Sequence, residues 1–141
     1  MFDDRYTFGT RVDAPIGDVR ETVTAALKTE GFGILTEIDM AATLRAKLGV
    51  ERDPYLILGA CNPPFAHQAV TFDPSIGALL PCNIVIRVDG DAVVLEVMDP
   101  KAVLGLVGDT AMDEVAAEVR ARLVRAVEAV EAQFPVTETT Q

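Results

Sequence analysis

Tryptophan is absent from this chain, and histidine and serine occur once each, as His67 and Ser75. Aromatic residues make up 6% of the sequence, too few for the stacking platforms that hold single-stranded nucleic acids. Basic residues are in the minority, 12 against 22 acidic ones, for a net charge of −10, and they form no run. Binding to phosphate backbones or to anionic membrane surfaces depends on clustered Lys and Arg. Nucleic acid and membrane are therefore set aside as partners. No apolar stretch reaches the ~20 residues that span a bilayer. The opening Met1-Phe2-Asp3-Asp4-Arg5 also lacks the apolar segment of a secretory signal. The expected location is the cytoplasm, where Cys61 and Cys82 are expected to be reduced thiols rather than a bridge. G-x-S-x-G, P-loop and G-x-G-x-x-G motifs are all missing.

Half of the 141 residues are hydrophobic, enough for one domain with a core of its own. We expect that domain over residues 1–135, followed by a loose tail at 136–141 behind Pro135. Tyr6 to Val12 has the composition of a strand. Asp13 is placed to cap a helix with Pro15 in its first turn. In that helix Ile16, Val19, Val23 and Leu27 recur on one face, and Gly31 suits its C-terminal stop. Phe32 to Ile38 alternates as a strand, and Asp39 caps a short helix that stops at Gly49. Tyr55 to Ala60 is an unbroken apolar run, the pattern of a buried strand. Asn62-Pro63 and Asp73-Pro74 both read as an N-cap followed by Pro, so two short helices are expected between the cysteines. Asp89-Gly90 between two valine- and isoleucine-rich runs predicts a hairpin. Asp99-Pro100 opens another helical turn. Thr110 and Asp113 resemble a capping box ahead of a long amphipathic helix carrying Val115, Val119, Leu123, Val127 and Val130. The order is β-α-β-α-β-(αα)-β-β-α. It predicts an α+β fold with a mostly antiparallel or mixed five-stranded sheet and helices packed on it. A doubly wound α/β sheet is the alternative, against which the hairpin weighs.

The scarce reactive side chains gather in one stretch. Leu58 to Cys82 holds both cysteines, the one histidine and four of the eight prolines. Cys61 falls at a strand end just ahead of a helix start, where the positive end of the helix dipole favours thiolate. The plainer reading of either cysteine is a small residue that packs well. If the strands bearing Cys61 and Cys82 are antiparallel neighbours, the thiols lie at one end of the sheet; if parallel, at opposite ends. Cys61, His67 and Cys82, with Asp73 as a fourth donor, would make a soft-metal set, but the close ligand pairs of zinc sites are missing. No metal or cofactor is therefore expected. Asn62 or Asn83 could orient a Cys–His pair in nucleophilic catalysis, although Asn62 reads first as a helix cap. Arg45, Lys47 and Arg52 read as a solvated rim.

Leu58-Gly59-Ala60-Cys61-Asn62-Pro63, Ala66 and Ala69 beyond it, and Leu79-Leu80-Pro81-Cys82-Asn83 leading into a valine-rich strand resemble the bacterial and archaeal domain-of-unknown-function family 302. Asp99-Pro100 before the last helix fits as well, and the resemblance runs from about residue 5 to 134. It implies a small single-domain α+β protein that forms homodimers, with no reaction assigned. It also implies that other residues, Tyr among them, stand at the position of His67. The expected function is a cytoplasmic homodimeric domain that binds a small ligand in a pocket formed by Cys61, Asn62, His67, Cys82 and Asn83. The alternatives are a thiol enzyme or redox sensor using Cys61 and Cys82, a soft-metal binder, and a structural interaction module.

Overall fold

The computed structural model describes residues 1–137. Six strands form one sheet: β1 (Phe2–Asp3), β2 (Thr7–Val12), β3 (Gly33–Asp39), β4 (Tyr55–Cys61), β5 (Cys82–Asp89) and β6 (Ala92–Met98). Their spatial order is β1-β2-β6-β5-β4-β3, and every pairing is antiparallel. The fold is α+β; the doubly wound alternative is excluded. The sixth strand is the two-residue β1, too short to leave a periodic signal. β3 to β6 run as a meander, and β2 adds to the β6 edge. β5 and β6 meet at the expected hairpin, with Gly90 at φ 61° in the turn.

One face of the sheet carries the helices. Phe8 and Val12 of β2, Val93, Leu95 and Val97 of β6, Ile84 and Ile86 of β5, and Leu58 and Ala60 of β4 are all buried there. Against them pack α1 (Ile16–Thr29), through Val19, Val23 and Leu27, and α5 (Thr110–Gln133), through residues from Met112 to Val130. These buried residues stand at every second position in β4, β5 and β6 and at three- and four-residue steps along α1 and α5, which places them in one shared apolar layer. Its burial is the dominant favourable term in folding.

The remaining elements are α2 (Met40–Leu48), α3 (Pro63–Phe72), a 3₁₀ turn over Pro74–Leu79, and α4 (Pro100–Leu104). Asp39 caps α2 by accepting from the Ala42 N–H at 2.9 Å, and Gly49 ends that helix in the left-handed region. Asp73 and Asp99 cap their turns as expected. Three other expected caps differ. α1 starts behind Pro15 with no side-chain cap, because Asp13 lies two residues too early. α5 is capped by Asp109, which accepts from the Ala111 N–H at 2.8 Å, so Thr110 is already inside the helix. Asn62 occupies the N-cap position of α3 but makes no capping bond. Pro63 and Pro64 fill the first two helical positions, so the usual N2 donor has no N–H to give.

At the C-terminal end, Val136 forms a bridge with Val12, and the Thr137 N–H donates to the Arg11 carbonyl at 2.8 Å. Residues 136 and 137 of the expected loose tail are thus bonded to β2. Residues 138–141 lie outside the described part of the chain.

Candidate functional site

The site is assembled from the ends of three elements. β4 and β5 are antiparallel neighbours, and Ala60 lies directly across from Cys82. Of the two open arrangements, the one that places both cysteines at the same end of the sheet is the one found. Cys61 is offset by one residue and pairs with Gly33 of β3. Both thiols are free; Cys82 is buried and Cys61 half-buried.

Between this sheet end, α3 and α5 lies a cavity of about 270 Å³. Its wall includes Phe32, Leu35, Ala60, Cys61, Asn62, Phe65, Ala66, Ala69, Leu80, Pro81, Cys82, Leu104, Val115 and Val119. No Lys, Arg, Asp, Glu or His is among them. Leu35 is 65% exposed, so the cavity reaches the surface beside it.

Several local features shape this wall. α1 ends in a Schellman motif: the Gly31 N–H donates to the Lys28 carbonyl at 3.1 Å and the Phe32 N–H to the Leu27 carbonyl at 2.8 Å. Gly31 adopts φ 89°, which a β-carbon disfavours. That turn delivers the Phe32 ring into the interior. A β-bulge then interrupts β3 between Ile34 and Thr36. Leu35 is the extra residue, and bulges re-aim side chains in this way. The continuous alternation expected from Phe32 to Ile38 is therefore broken at the residue that lines the mouth.

Asn62 is 6% exposed, and its amide nitrogen donates across the chain to the Glu30 carbonyl at 3.4 Å. The same carbonyl accepts from Arg122 Nη1 at 3.1 Å. Asn62 thus meets the C-terminus of α1 rather than the N-terminus of α3. The Arg122 guanidinium also bonds Glu118 at 3.0 Å and stacks 5.0 Å from the centre of the Phe65 ring. It braces α5 against the end of α1 and the start of α3.

Burial pushes the Cys82 thiol up to about 11, with a further contribution from nearby Cys61. It is therefore a neutral thiol near pH 7. Thiolate is the species that attacks and that binds metal, so this environment disfavours both roles for Cys82.

Of the expected pocket residues, the fold brings Cys61, Asn62 and Cys82 together. It does not bring His67 or Asn83 to them. His67 is exposed on α3, one residue past the cavity-lining Ala66. Asn83 alternates to the other side of β5 and lies in a separate cleft with Tyr55, Glu96 and Met98. The Cys61–His67–Cys82 metal set is not assembled: among the described residues no three His, Cys, Asp or Glu side chains cluster closely enough to hold an ion. Sequence reasoning missed Phe32, Leu35, Phe65 and Leu104 as wall residues. Gly31 was the one local signal, since the residue after such a glycine turns inward.

The family model described as "Domain of unknown function DUF302" matches residues 8–130. The chain belongs to the DUF302 family. A crystal structure of an uncharacterized conserved DUF302 protein from Bacillus stearothermophilus superposes with a TM-score of 0.83 at 26% identity, covering 89% of this chain and 98% of that one. No curated protein matches this sequence. The family and the fold are therefore established, and this DUF302 chain takes its functional reading from the cavity.

Proposed function

We propose that this DUF302 protein is a cytoplasmic homodimer that binds a small, uncharged, largely apolar ligand in the cavity at the Cys61-Asn62 and Cys82 corners. The carrying observation is that cavity, about 270 Å³ with an apolar wall. Ligand sites are concave and mostly apolar, with a few polar groups that fix orientation. An engineered apolar cavity of about 150 Å³ takes up benzene, so a two-ring aromatic body or an alkyl chain of similar bulk fits inside, and the open mouth beside Leu35 leaves room for a further ring. A charged group would lose its hydration and find no opposite charge on the wall, a cost that dominates at this size. Two unbridged thiols beside one another accord with a reducing compartment. Among the described residues no helix is long and apolar enough to cross a membrane.

The test uses N-phenyl-1-naphthylamine, an uncharged probe that fluoresces in apolar surroundings. Wild-type protein is expected to bind it saturably at one per chain. Ala66→Trp, which fills the cavity from α3, is expected to abolish the signal while circular dichroism stays unchanged. No saturable binding to wild type, or equal binding to Ala66→Trp, would overturn the reading. Mass spectrometry of molecules released from natively purified protein then identifies the natural occupant.

A further inference from the structure

Asn62 gives the same cavity a chemical preference, one that rests on the ligand-binding role proposed for it. Its amide orientation is set by its neighbour. The Glu30 carbonyl can only accept, so the Asn62 nitrogen faces it and the oxygen is left over. Asn62 Oδ1 accepts no hydrogen bond from any described residue. Nor is it sealed inside the protein: among the described residues, the enclosed side-chain atoms without partners are Arg11 Nε and Thr137 Oγ1. Asn62 is 94% buried by its 6% exposure and lines the cavity. Asn62, whose oxygen has no protein partner, thus lines a site whose other wall groups are apolar side chains and the two cysteines.

We propose that the ligand carries one uncharged hydrogen-bond donor, a hydroxyl or an N–H on an apolar body, and that Asn62 Oδ1 accepts it. The complementary class is excluded on the same grounds. A carboxylate would face Asn62 Oδ1 acceptor to acceptor, and the one remaining Asn62 N–H would not replace the hydration lost in a wall without opposite charge. The nearest guanidinium, Arg122, is engaged by Glu118, the Glu30 carbonyl and the Phe65 ring. A purely apolar ligand would fill the space but leave the Asn62 oxygen unpaired, and a buried acceptor without a donor costs affinity. The thiol of Cys82, held neutral by its burial, adds no charge that would alter this preference.

Three probes of one shape separate these cases: 2-naphthol, 2-methylnaphthalene and 2-naphthoate, each measured near pH 7 by displacement of N-phenyl-1-naphthylamine. Wild-type protein is expected to prefer 2-naphthol over 2-methylnaphthalene by roughly tenfold and to bind 2-naphthoate weakest. In Asn62→Leu the first preference is expected to vanish or reverse, because the hydroxyl then loses its water without gaining an acceptor. The Glu30 carbonyl keeps Arg122 in that variant, so the fold is expected to survive. Asn62→Ala supplies the same comparison if leucine does not fit. Binding of both neutral probes with a ratio that does not change in either variant overturns the role of Asn62 while leaving the pocket intact. Tighter binding of 2-naphthoate than 2-naphthol also overturns it. If neither neutral probe displaces dye that Ala66→Trp excludes, this inference is overturned while the pocket stands; if the dye itself does not bind, the ligand-binding reading fails and this inference falls with it.

Discussion

Cys82 faces Ala60 across the β4–β5 ladder inside an almost wholly apolar wall, and its titration should be visible in stability. Below its ordinary value of 9.0 the thiol keeps its proton in the folded and unfolded chain alike, and stability is at its full value. As pH rises from 9.0 towards about 11, only the unfolded chain releases the proton. Stability therefore falls across that window, by on the order of 3 kcal/mol at its upper end. Urea midpoints at pH 8 and pH 10.5 should differ less in Cys82→Ala than in wild type, and an equal difference would refute the assignment. Native Cys82 should also resist iodoacetamide at pH 7.5 until the protein is unfolded. At the neighbouring corner, Arg122 makes three contacts where Asn62 makes one long hydrogen bond to protein. Arg122→Ala is expected to cost about 1–2 kcal/mol and Asn62→Ala less than about 1. The two should not add, because they share the Glu30 carbonyl. A larger loss in Asn62→Ala would restore a capping role for that residue.

At the scale of elements, β2 is held against β6 more tightly than its length suggests. A β-carbon on Gly9 would lie 1.9 Å from the Leu95 carbonyl oxygen, and that oxygen belongs to the ladder and cannot turn aside. Gly9→Ala should force the strands apart and cost roughly 3 kcal/mol or more, in the range of overpacked backbone sites. Thermal denaturation tests this, and a change in Tm of only a degree or two would contradict it. The helices show how far local signals reach. Asp39, Asp73 and Asp99 cap as their neighbours predict, because a side chain that reaches the next turn needs no distant partner. Asn62 does not, because Pro64 removes a donor nearby and the end of α1 offers an acceptor from 32 residues away. The β3 bulge is similarly invisible locally. Ile34 and Leu35 are both apolar, and only pairing with β4 shows which one is extra.

For the molecule as a whole, the two longest helices, α1 and α5, pack on one side of the sheet, and a homodimer is the assembly we propose. Sedimentation at micromolar concentration should give about twice the 15.1 kDa chain mass. A monomer throughout that range would refute it without touching the cavity. The charge of −10 makes association sensitive to salt, since like-charged subunits repel less when screened. Dimer affinity should therefore rise when NaCl is raised from low to near-physiological concentration.

The sequence by itself determined the α+β class, the hairpin at Asp89-Gly90, and the apolar faces of α1 and α5. Each of these is written in spacing along the chain: alternation in strands, three- and four-residue recurrence in helices, turn residues between them. The membership of the site was a different matter. Which cysteine is buried, that Asn62 turns away from α3, and that His67 and Asn83 leave the group were decided by strand register and helix placement. Leu35, Phe32 and Leu104 entered by the same route. Register brings together residues from β3, β4, β5, α3, α4 and α5. A cavity is the space left where those elements fail to touch, so no single segment of sequence encodes it.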